Sequence, residues 1–253
     1  MPEVSTEIQS TERRPAERRR PLPEEGPLSI VFEDEWIIVL DKPPGIVVHP
    51  TYKNWSGTLL NSVLWRVRDR ADAQPGILTR LDKDTSGLVV MALTPEVHSA
   101  MQRDQAARRI DKSYLAIVQG TPEPARGTIA LPLGRDLADR RRVVVTDTGA
   151  PSETRYEVMA TLHGNTSLVR CELVTGRTHQ IRVHLSSRGW PILGDPSYGV
   201  ASATIARQAL HAWRVRLPHP ITRASIDLEA QIPPDMRPFV HNVTFVGATH
   251  ASP

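Results

Sequence analysis

Residues 77–93 read ILTRLDKDTSGLVVMAL, two apolar runs separated by the polar segment RLDKDTSG. Short apolar runs bounded by turn-forming residues predict two strands, and the Thr-Ser-Gly sequence predicts the turn between them. A turn needs only small residues, yet this one also contains Arg80, Asp82, Lys83 and Asp84. The segment is therefore either a solvated turn or a place where a carboxylate is held at the edge of a site.

The composition predicts a globular protein with an anionic partner. Of the 253 residues, 40% are apolar and 23% are charged, as is usual for globular proteins. The formal net charge is +3, and residues 28–253 alone carry +4 because residues 1–27 are net negative. Nucleic acid is the partner that this balance favours, and an ordinary solvated surface is the alternative.

The sequence contains one cysteine and no long apolar run. Because Cys171 is alone, an internal disulfide and a cysteine-based zinc site are both excluded. No segment approaches the roughly 18 apolar residues of a membrane helix. We therefore expect a cytoplasmic protein, with no membrane contact, and a monomer because no long apolar surface helix is present. Residues 1–27 are rich in Pro, Glu and Arg and predict a disordered tail before a folded domain at 28–253.

Strand patterns outnumber helix patterns along the folded part. Three helices are predicted, with N-caps at Ser56 or Thr58, at Thr94 before Pro95, and at Thr178. The many short strands joined by short turns predict an α+β fold with a mixed, mostly antiparallel β-sheet and flanking helices.

The third helix, in GRTHQIRVHL, can bring an arginine into a cleft. Ile181, Arg182 and Leu185 share a face at helical spacing. A half-buried guanidinium needs a carboxylate partner, and Asp82 on its tight turn is a suitable candidate. The alternative is that Arg182 reaches solvent and Asp82 caps its own turn.

Histidines and tyrosines offer further candidates for chemistry. His179 and His184 are five residues apart, which puts them on different faces of a helix or strand, so no metal site is predicted. Tyr114 lies in the predicted strand KSYLAIV, where it can stack on a base or move a proton. A packed core tyrosine is the alternative at that position.

Five motifs occur in order along the folded part: LDKPPGIVVHP, TRLDKDTSGLVVMAL, KSYLAIV, TGRTHQIRVHLSSRGWPILGD and LHAWRVRLPHP. Together they resemble the signature of the RluA-type pseudouridine synthases. The resemblance implies a mostly antiparallel catalytic core with an RNA-binding cleft. It also implies an isomerase that converts uridine in rRNA or tRNA to pseudouridine, without a cofactor or a metal.

The resemblance assigns roles to particular residues. Asp82 matches the catalytic aspartate, Tyr114 the active-site tyrosine, and Arg182 the arginine that pairs with the aspartate. The residues expected to bind RNA are Arg80, Lys83, Thr85, Arg177 and His179.

Two departures from the family pattern bear on RNA recognition. Thr79 stands where the family usually has histidine before Arg-Leu-Asp, which concerns substrate preference more than activity. The 27-residue tail is too short for the small RNA-binding domain of larger relatives, so recognition is expected from the core.

Two other functions stay open on the sequence. The first is a non-catalytic RNA-binding protein or RNA chaperone on the same fold. The second is a glycoside hydrolase that uses Asp82 and Asp84, but neighbours on one tight turn do not face each other across a substrate.

Overall fold

The computed structural model describes residues 20–51, 54–241 and 243. In these ranges the helices are α1 Leu59–Arg66, α2 Pro95–Ala106, α3 Gln180–Ser187 and α4 Arg237–Val240. The strands are β1 Ile30–Glu33, β2 Ile37–Lys42, β3 Gly76–Ile77, β4 Ser86–Ala92, β5 Asp111–Gln119, β6 Arg126–Ala130, β7 Leu133–Arg135, β8 Val143–Val145, β9 Glu153–Leu162, β10 Thr166–Leu173, β11 Leu210–Pro218 and β12 Ser225–Glu229. None of the described helices combines the length and apolar character needed to cross a bilayer.

Ten of these strands form one sheet. Its order is β1-β2-β4-β11-β5-β10-β9-β6, with β12 beside β11 and β3 beside β4. The pairing of β4 with β11 is parallel, whereas the other pairings between these named strands are antiparallel. The predicted α+β class with a mostly antiparallel sheet is therefore confirmed. Because β4 and β11 run in parallel, the segments that lead into them meet at one edge of the sheet.

Strand β2 is buried on both faces, which explains its unbroken apolar sequence. Ile37 and Val39 pack in the cluster that contains α2 and β12 residues. Ile38 and Leu40, on the opposite face, pack against α1. Each of these four side chains is fully buried, and complete burial contributes about 1.5–3 kcal/mol per side chain of this size.

Local sequence determines where the first two helices begin. Thr58 is the N-cap of α1, and its hydroxyl accepts from the Asn61 amide while the Asn61 side chain accepts from the Thr58 amide. Thr94 caps α2 by accepting from the Val97 amide, and Pro95 occupies the first helical position. Both helix starts agree with the expected capping signals.

Helix α3 begins differently from the prediction. Its N-cap is His179, in a left-handed conformation with φ 54°, and no side chain caps the helix. Gln180 instead folds back, so that its Oε1 accepts from the Arg177 amide at 3.0 Å and from the Thr175 hydroxyl at 2.8 Å. The prediction of Thr178 as N-cap is wrong because this Gln180 contact continues the preceding turn beyond Thr178.

The predicted tail lies partly outside the described residues, which begin at 20. Residues 20–27 form neither helix nor strand. Nevertheless, the Leu22 carbonyl accepts from Asn61 Nδ2 at 2.7 Å, and the Glu24 carboxylate accepts from the Gly57 amide at 2.7 Å. These hydrogen bonds attach part of the predicted tail to the start of α1.

Candidate active site

Asp82 opens a short turn that leads into β4. The Thr85 amide donates to the Asp82 carbonyl at 3.1 Å and closes this turn. The prediction that Thr-Ser-Gly forms the turn is wrong in position, because Ser86 and Gly87 already pair within the sheet. Gly87 has φ 109°, and a Cβ there would collide with the Ala212 backbone. Glycine is therefore required where β4 approaches β11, directly behind the turn.

Cations hold the backbone of this turn from two sides. The Lys42 ammonium donates to the Lys83 carbonyl at 2.9 Å, and the Gly45 amide donates to the same oxygen at 2.9 Å. From the other side, Arg207 Nη1 donates to the Asp84 carbonyl at 3.1 Å. The turn is thus fixed by groups that the sequence analysis did not identify.

Lys42 and Arg207 are themselves held in place by further contacts. Lys42 is fully buried and also donates to the carbonyls of Pro43 at 2.8 Å and Ile46 at 2.9 Å. Burial lowers the pKa of Lys42 to about 8. Arg207 forms a bidentate ion pair with Asp235, with N–O distances of 2.7 and 2.8 Å. Planar bidentate pairs fix orientation as well as distance, so Arg207 has little freedom to move.

The carboxylate of Asp82 meets the guanidinium of Arg182. Arg182 Nη1 donates to Asp82 Oδ2 at 2.8 Å. The Asp82 side chain is 25% exposed and the Arg182 side chain 6% exposed. The predicted pair between these residues is therefore present, with the carboxylate open to solvent and the guanidinium buried behind it.

Arg182 is held by a second carboxylate that the sequence analysis did not assign to the site. Its Nε and Nη2 donate to the two oxygens of Asp195, both at 2.7 Å. Burial works against the charge of Arg182, but its bonds to Asp195 and the charge of Asp82 outweigh burial and raise its pKa. Arg182 stays charged and is oriented from behind by Asp195, whose side chain is fully buried.

Tyr198 connects Arg182 to His179. The Arg182 guanidinium lies 5.1 Å from the centre of the Tyr198 ring. The Tyr198 hydroxyl accepts from the Val143 amide at 2.8 Å, and its own proton can be donated to His179 Nδ1 at 2.9 Å. In neutral His179 the ring proton then lies on Nε2, which is 3.8 Å from Asp82 Oδ2.

The His179 ring is partly buried beside these charges. Burial lowers the pKa of His179, and the charge of Asp82 opposes that effect. His179, predicted to bind RNA, therefore faces the carboxylate of Asp82 as a mainly neutral ring at pH 7.

Tyr114 closes the other side of the same cleft. It is 6% exposed and pairs through its backbone with Cys171 and Ala212. The cleft, which both Tyr114 and Asp82 line, has a volume of about 60 Å³. Burial raises the pKa of Tyr114, and the charge of Asp82 adds to the effect. Its hydroxyl stays protonated at neutral pH, so Tyr114 offers the cleft a hydrogen-bond donor and a ring face.

The residues predicted to bind RNA differ in exposure. Arg80, Lys83 and Arg177 are exposed around the cleft. Thr85 is buried, and its hydroxyl accepts from Gln208 Nε2 at 3.2 Å, so its observed contacts stabilise the turn. Direct RNA contacts by these residues stay predictions.

Thr79 has a role inside the sheet. It is 7% exposed, and its hydroxyl accepts from the Val90 amide at 2.9 Å. Its side chain is therefore engaged with β4 instead of projecting into the cleft.

The second histidine of the GRTHQIRVHL motif lies in the core. His184 Nδ1 is 2.9 Å from the Thr154 hydroxyl, and Nε2 is 3.0 Å from the Leu131 carbonyl. Throughout the described ranges, no three His, Cys, Asp or Glu side chains are grouped so that they could hold a metal ion.

Sequence comparison shows the family to which this arrangement belongs. The sequence pattern of the family described as RNA pseudouridylate synthase matches residues 36–187, a range that contains Asp82, Tyr114 and Arg182. The chain belongs to the RNA pseudouridylate synthase family. Membership confirms the RluA-type family inferred from the motifs.

Curated relatives and solved structures agree with this assignment. The chain is 43% identical to ribosomal large subunit pseudouridine synthase D of Nitrosomonas europaea over 83% of its length, but it spans only 63% of that relative. It is 44% identical to the protein of the same name from Pseudomonas aeruginosa, over 82% of this chain and 69% of the relative. Among solved structures, human RNA pseudouridylate synthase domain containing 1 has a TM-score of 0.67 and 28% identity, over 82% of this chain and 86% of the other.

Proposed function

We propose that this protein converts uridine to pseudouridine in ribosomal RNA of the large subunit. The observation that carries the proposal is the Asp82 carboxylate, which is one-quarter exposed in an open cleft and paired with a buried Arg182. The choice of ribosomal RNA over transfer RNA rests on the names of the Nitrosomonas and Pseudomonas relatives. The protein acts in the cytoplasm as a monomer.

The reaction begins with a uridine outside its helical stack. A stacked base must be extruded before its sugar can be reached, at a cost of a few kcal/mol. The exposed Arg80 and Lys83 beside the turn contact the distorted phosphates and offset part of this cost. The base then packs on the ring of Tyr114.

Asp82 acts on the bond between the ribose and ring nitrogen N1. As this bond breaks, positive charge develops on the sugar, which an ionised carboxylate stabilises. Asp82 either bonds to the anomeric carbon or removes a sugar proton to form a glycal. In both routes Arg182 fixes the direction of the carboxylate through the 2.8 Å contact.

Tyr114 acts after the ring has rotated and rejoined the sugar through carbon 5. The proton on carbon 5 must then leave and N1 must gain one. Burial raises the pKa of Tyr114, so its hydroxyl stays protonated and does not act as a phenolate base. Instead, the hydroxyl holds a water molecule, and this water accepts the proton from carbon 5.

The direct test is release of tritium from RNA labelled at carbon 5 of uridine. Ribosomal RNA transcribed without modification is the substrate, and transfer RNA is the comparison. Asp82→Asn is the matched control because it preserves size and removes the charge. We expect tritium release by the wild-type protein from the ribosomal RNA and none by the variant.

The other outcomes are informative. Release from transfer RNA alone would overturn the proposed substrate but preserve the reaction. Binding of both RNAs without any tritium release would identify a non-catalytic RNA-binding protein.

A further inference from the structure

A large groove lies next to the Asp82 cleft. Its volume is about 930 Å³, against about 60 Å³ for the cleft itself. The two share Leu173 and Arg177 in their walls, so the groove leads directly into the cleft. The end of α2 and strands β5, β10 and β11 supply most of its other walls.

The groove is strongly basic. Seven basic side chains line it and only two acidic ones, Asp111 and Glu172. Four of the arginines form ion pairs with carboxylates: Arg155, Arg170, Arg214 and Arg216. Arg108, Lys112 and Arg177 form no ion pair within the part of the chain that the structure describes.

Lys112 is the decisive member of these three. Lys112 is partly buried, and its ammonium forms no hydrogen bond or ion pair with the described residues. Burial lowers the pKa of Lys112. A partly buried cation that forms no ion pair is stabilised by an incoming anion.

The position of Lys112 connects the groove to the chemistry of the cleft. Lys112 and Tyr114 are two residues apart on β5, so they project on the same face of the sheet, about 7 Å apart along the strand. Gly176 directly precedes Arg177 in the chain, and Lys112 Nζ lies 3.9 Å from the position that a Cβ on Gly176 would occupy. Lys112 and Arg177 therefore converge where the groove meets the cleft.

We infer that this groove binds the single-stranded RNA segment next to the target uridine, with Lys112 and Arg177 holding a phosphate at the junction and Arg108 a phosphate further out. The inference rests on the proposed function, because it places in the groove a phosphate of the same RNA strand whose target uridine lies on the Tyr114 ring. The groove recognises the sugar-phosphate backbone of an unpaired strand by charge. It raises affinity without reading the sequence of the bases.

The test compares RNA binding by single variants. Lys112→Gln and Arg108→Gln each remove one unpaired cation, and Arg66→Gln is the matched control because it removes an exposed arginine that is paired with Glu33 and lies outside the groove. Affinity for a fluorescent single-stranded oligouridine is measured over a series of salt concentrations, and tritium release is measured with unmodified ribosomal RNA.

We expect about tenfold weaker binding for Lys112→Gln, since hydrogen bonds to charged groups contribute at this level. The slope of log affinity against log salt should decrease in magnitude by about 0.7 per lost phosphate contact. The KM for RNA should rise while kcat at saturating RNA stays unchanged. Arg108→Gln should show a smaller effect in the same direction, and Arg66→Gln should change neither affinity nor slope substantially.

Several results would overturn the inference. Unchanged affinity and slope for both Lys112→Gln and Arg108→Gln would remove the groove from RNA binding, whereas tritium release by the wild type would leave the proposed reaction intact. Competition by polyglutamate as strong as that by oligouridine would instead identify an acidic protein as the occupant. If the wild type binds RNA but releases no tritium, the proposed reaction is wrong, and the salt slopes of the variants still show whether the groove binds RNA.

Discussion

Replacing Asp195 with asparagine tests whether Asp195 orients the Arg182 guanidinium, while the carboxylate of Asp82 itself is left in place. Asp195 is fully buried, and its two oxygens accept from Arg182 Nε and Nη2, both at 2.7 Å. Its Oδ1 also accepts from the amides of Ser197 at 2.9 Å and Tyr198 at 3.1 Å. Asparagine can preserve the bonds to these amides, but its NH₂ group would face an Arg182 nitrogen that also needs an acceptor.

The expected cost follows from the burial of the pair. Removing one partner of a buried ion pair costs about 3–5 kcal/mol. Because Asp82 still contacts Arg182 at 2.8 Å, we expect the lower end of this range for Asp195→Asn. Displacement of a catalytic group by about 1 Å can reduce the rate about 100-fold, so we expect a loss of that order in kcat from the tilted guanidinium.

Two assays measure these effects separately. Urea unfolding gives the change in stability, and tritium release under conditions where the variant is folded gives kcat. Asp104→Asn is the matched control, because Asp104 is 3% exposed and pairs with Arg109 and Arg223 outside the cleft. It should lower stability and leave kcat unchanged. Wild-type kcat for folded Asp195→Asn would refute the argument that Asp195 orients Arg182.

Three further predictions concern other groups of the structure. Tyr114→Phe should bind RNA with wild-type affinity but release tritium and product slowly, because the hydroxyl no longer holds the water that accepts the carbon 5 proton; a wild-type rate of tritium release would exclude this role. Arg207→Lys should lower kcat about tenfold with little change in KM, because a lysine cannot bind the Asp84 carbonyl and form a bidentate carboxylate pair at the same time. Arg223→Lys is the control, because Arg223 pairs with Asp104 outside the cleft, and its kcat should be unchanged. Burial lowers the pKa of His211 to about 4 in the folded protein. Between about pH 4 and 6.5 the unfolded chain therefore binds one proton more than the folded chain at this residue. Stability should therefore rise by roughly 3 kcal/mol over that window and be lost again on acidification, and urea unfolding of His211→Gln should show a flatter pH dependence.

Features governed by nearby residues were predictable from the sequence. Thr58 and Thr94 cap their helices through side-chain contacts three residues away, which a short window of sequence contains. The start of α3 was not predictable in this way, because Gln180 folds back on residues 175–177 and moves the cap to His179. Propensity favours threonine as a cap, but a side-chain hydrogen bond in the preceding turn prevailed.

The candidate site was predictable only in part. The charge and spacing of Asp82 and Arg182 raised the pair as one alternative, and the family motifs favoured it. Asp195 was the last residue of a quoted motif, but nothing local distinguishes it from an ordinary turn aspartate. The Arg207 contact with the turn spans 123 residues, and such pairings depend on the order of strands in the sheet, which composition and periodicity do not determine.

The parallel pairing of β4 with β11 also determines the order in which the molecule can be assembled. Strand β11 lies between one half-sheet, β1-β2-β4, and another, β5-β10-β9-β6. During synthesis both halves emerge before the strand that joins them, so the turn of Asp82 and the strand of Tyr114 have no common sheet until residues 210–218 are inserted. A growing chain therefore lacks the assembled candidate site until β11 has been translated. Pairing of this central strand with both half-sheets is expected to be a slow, long-range step of folding.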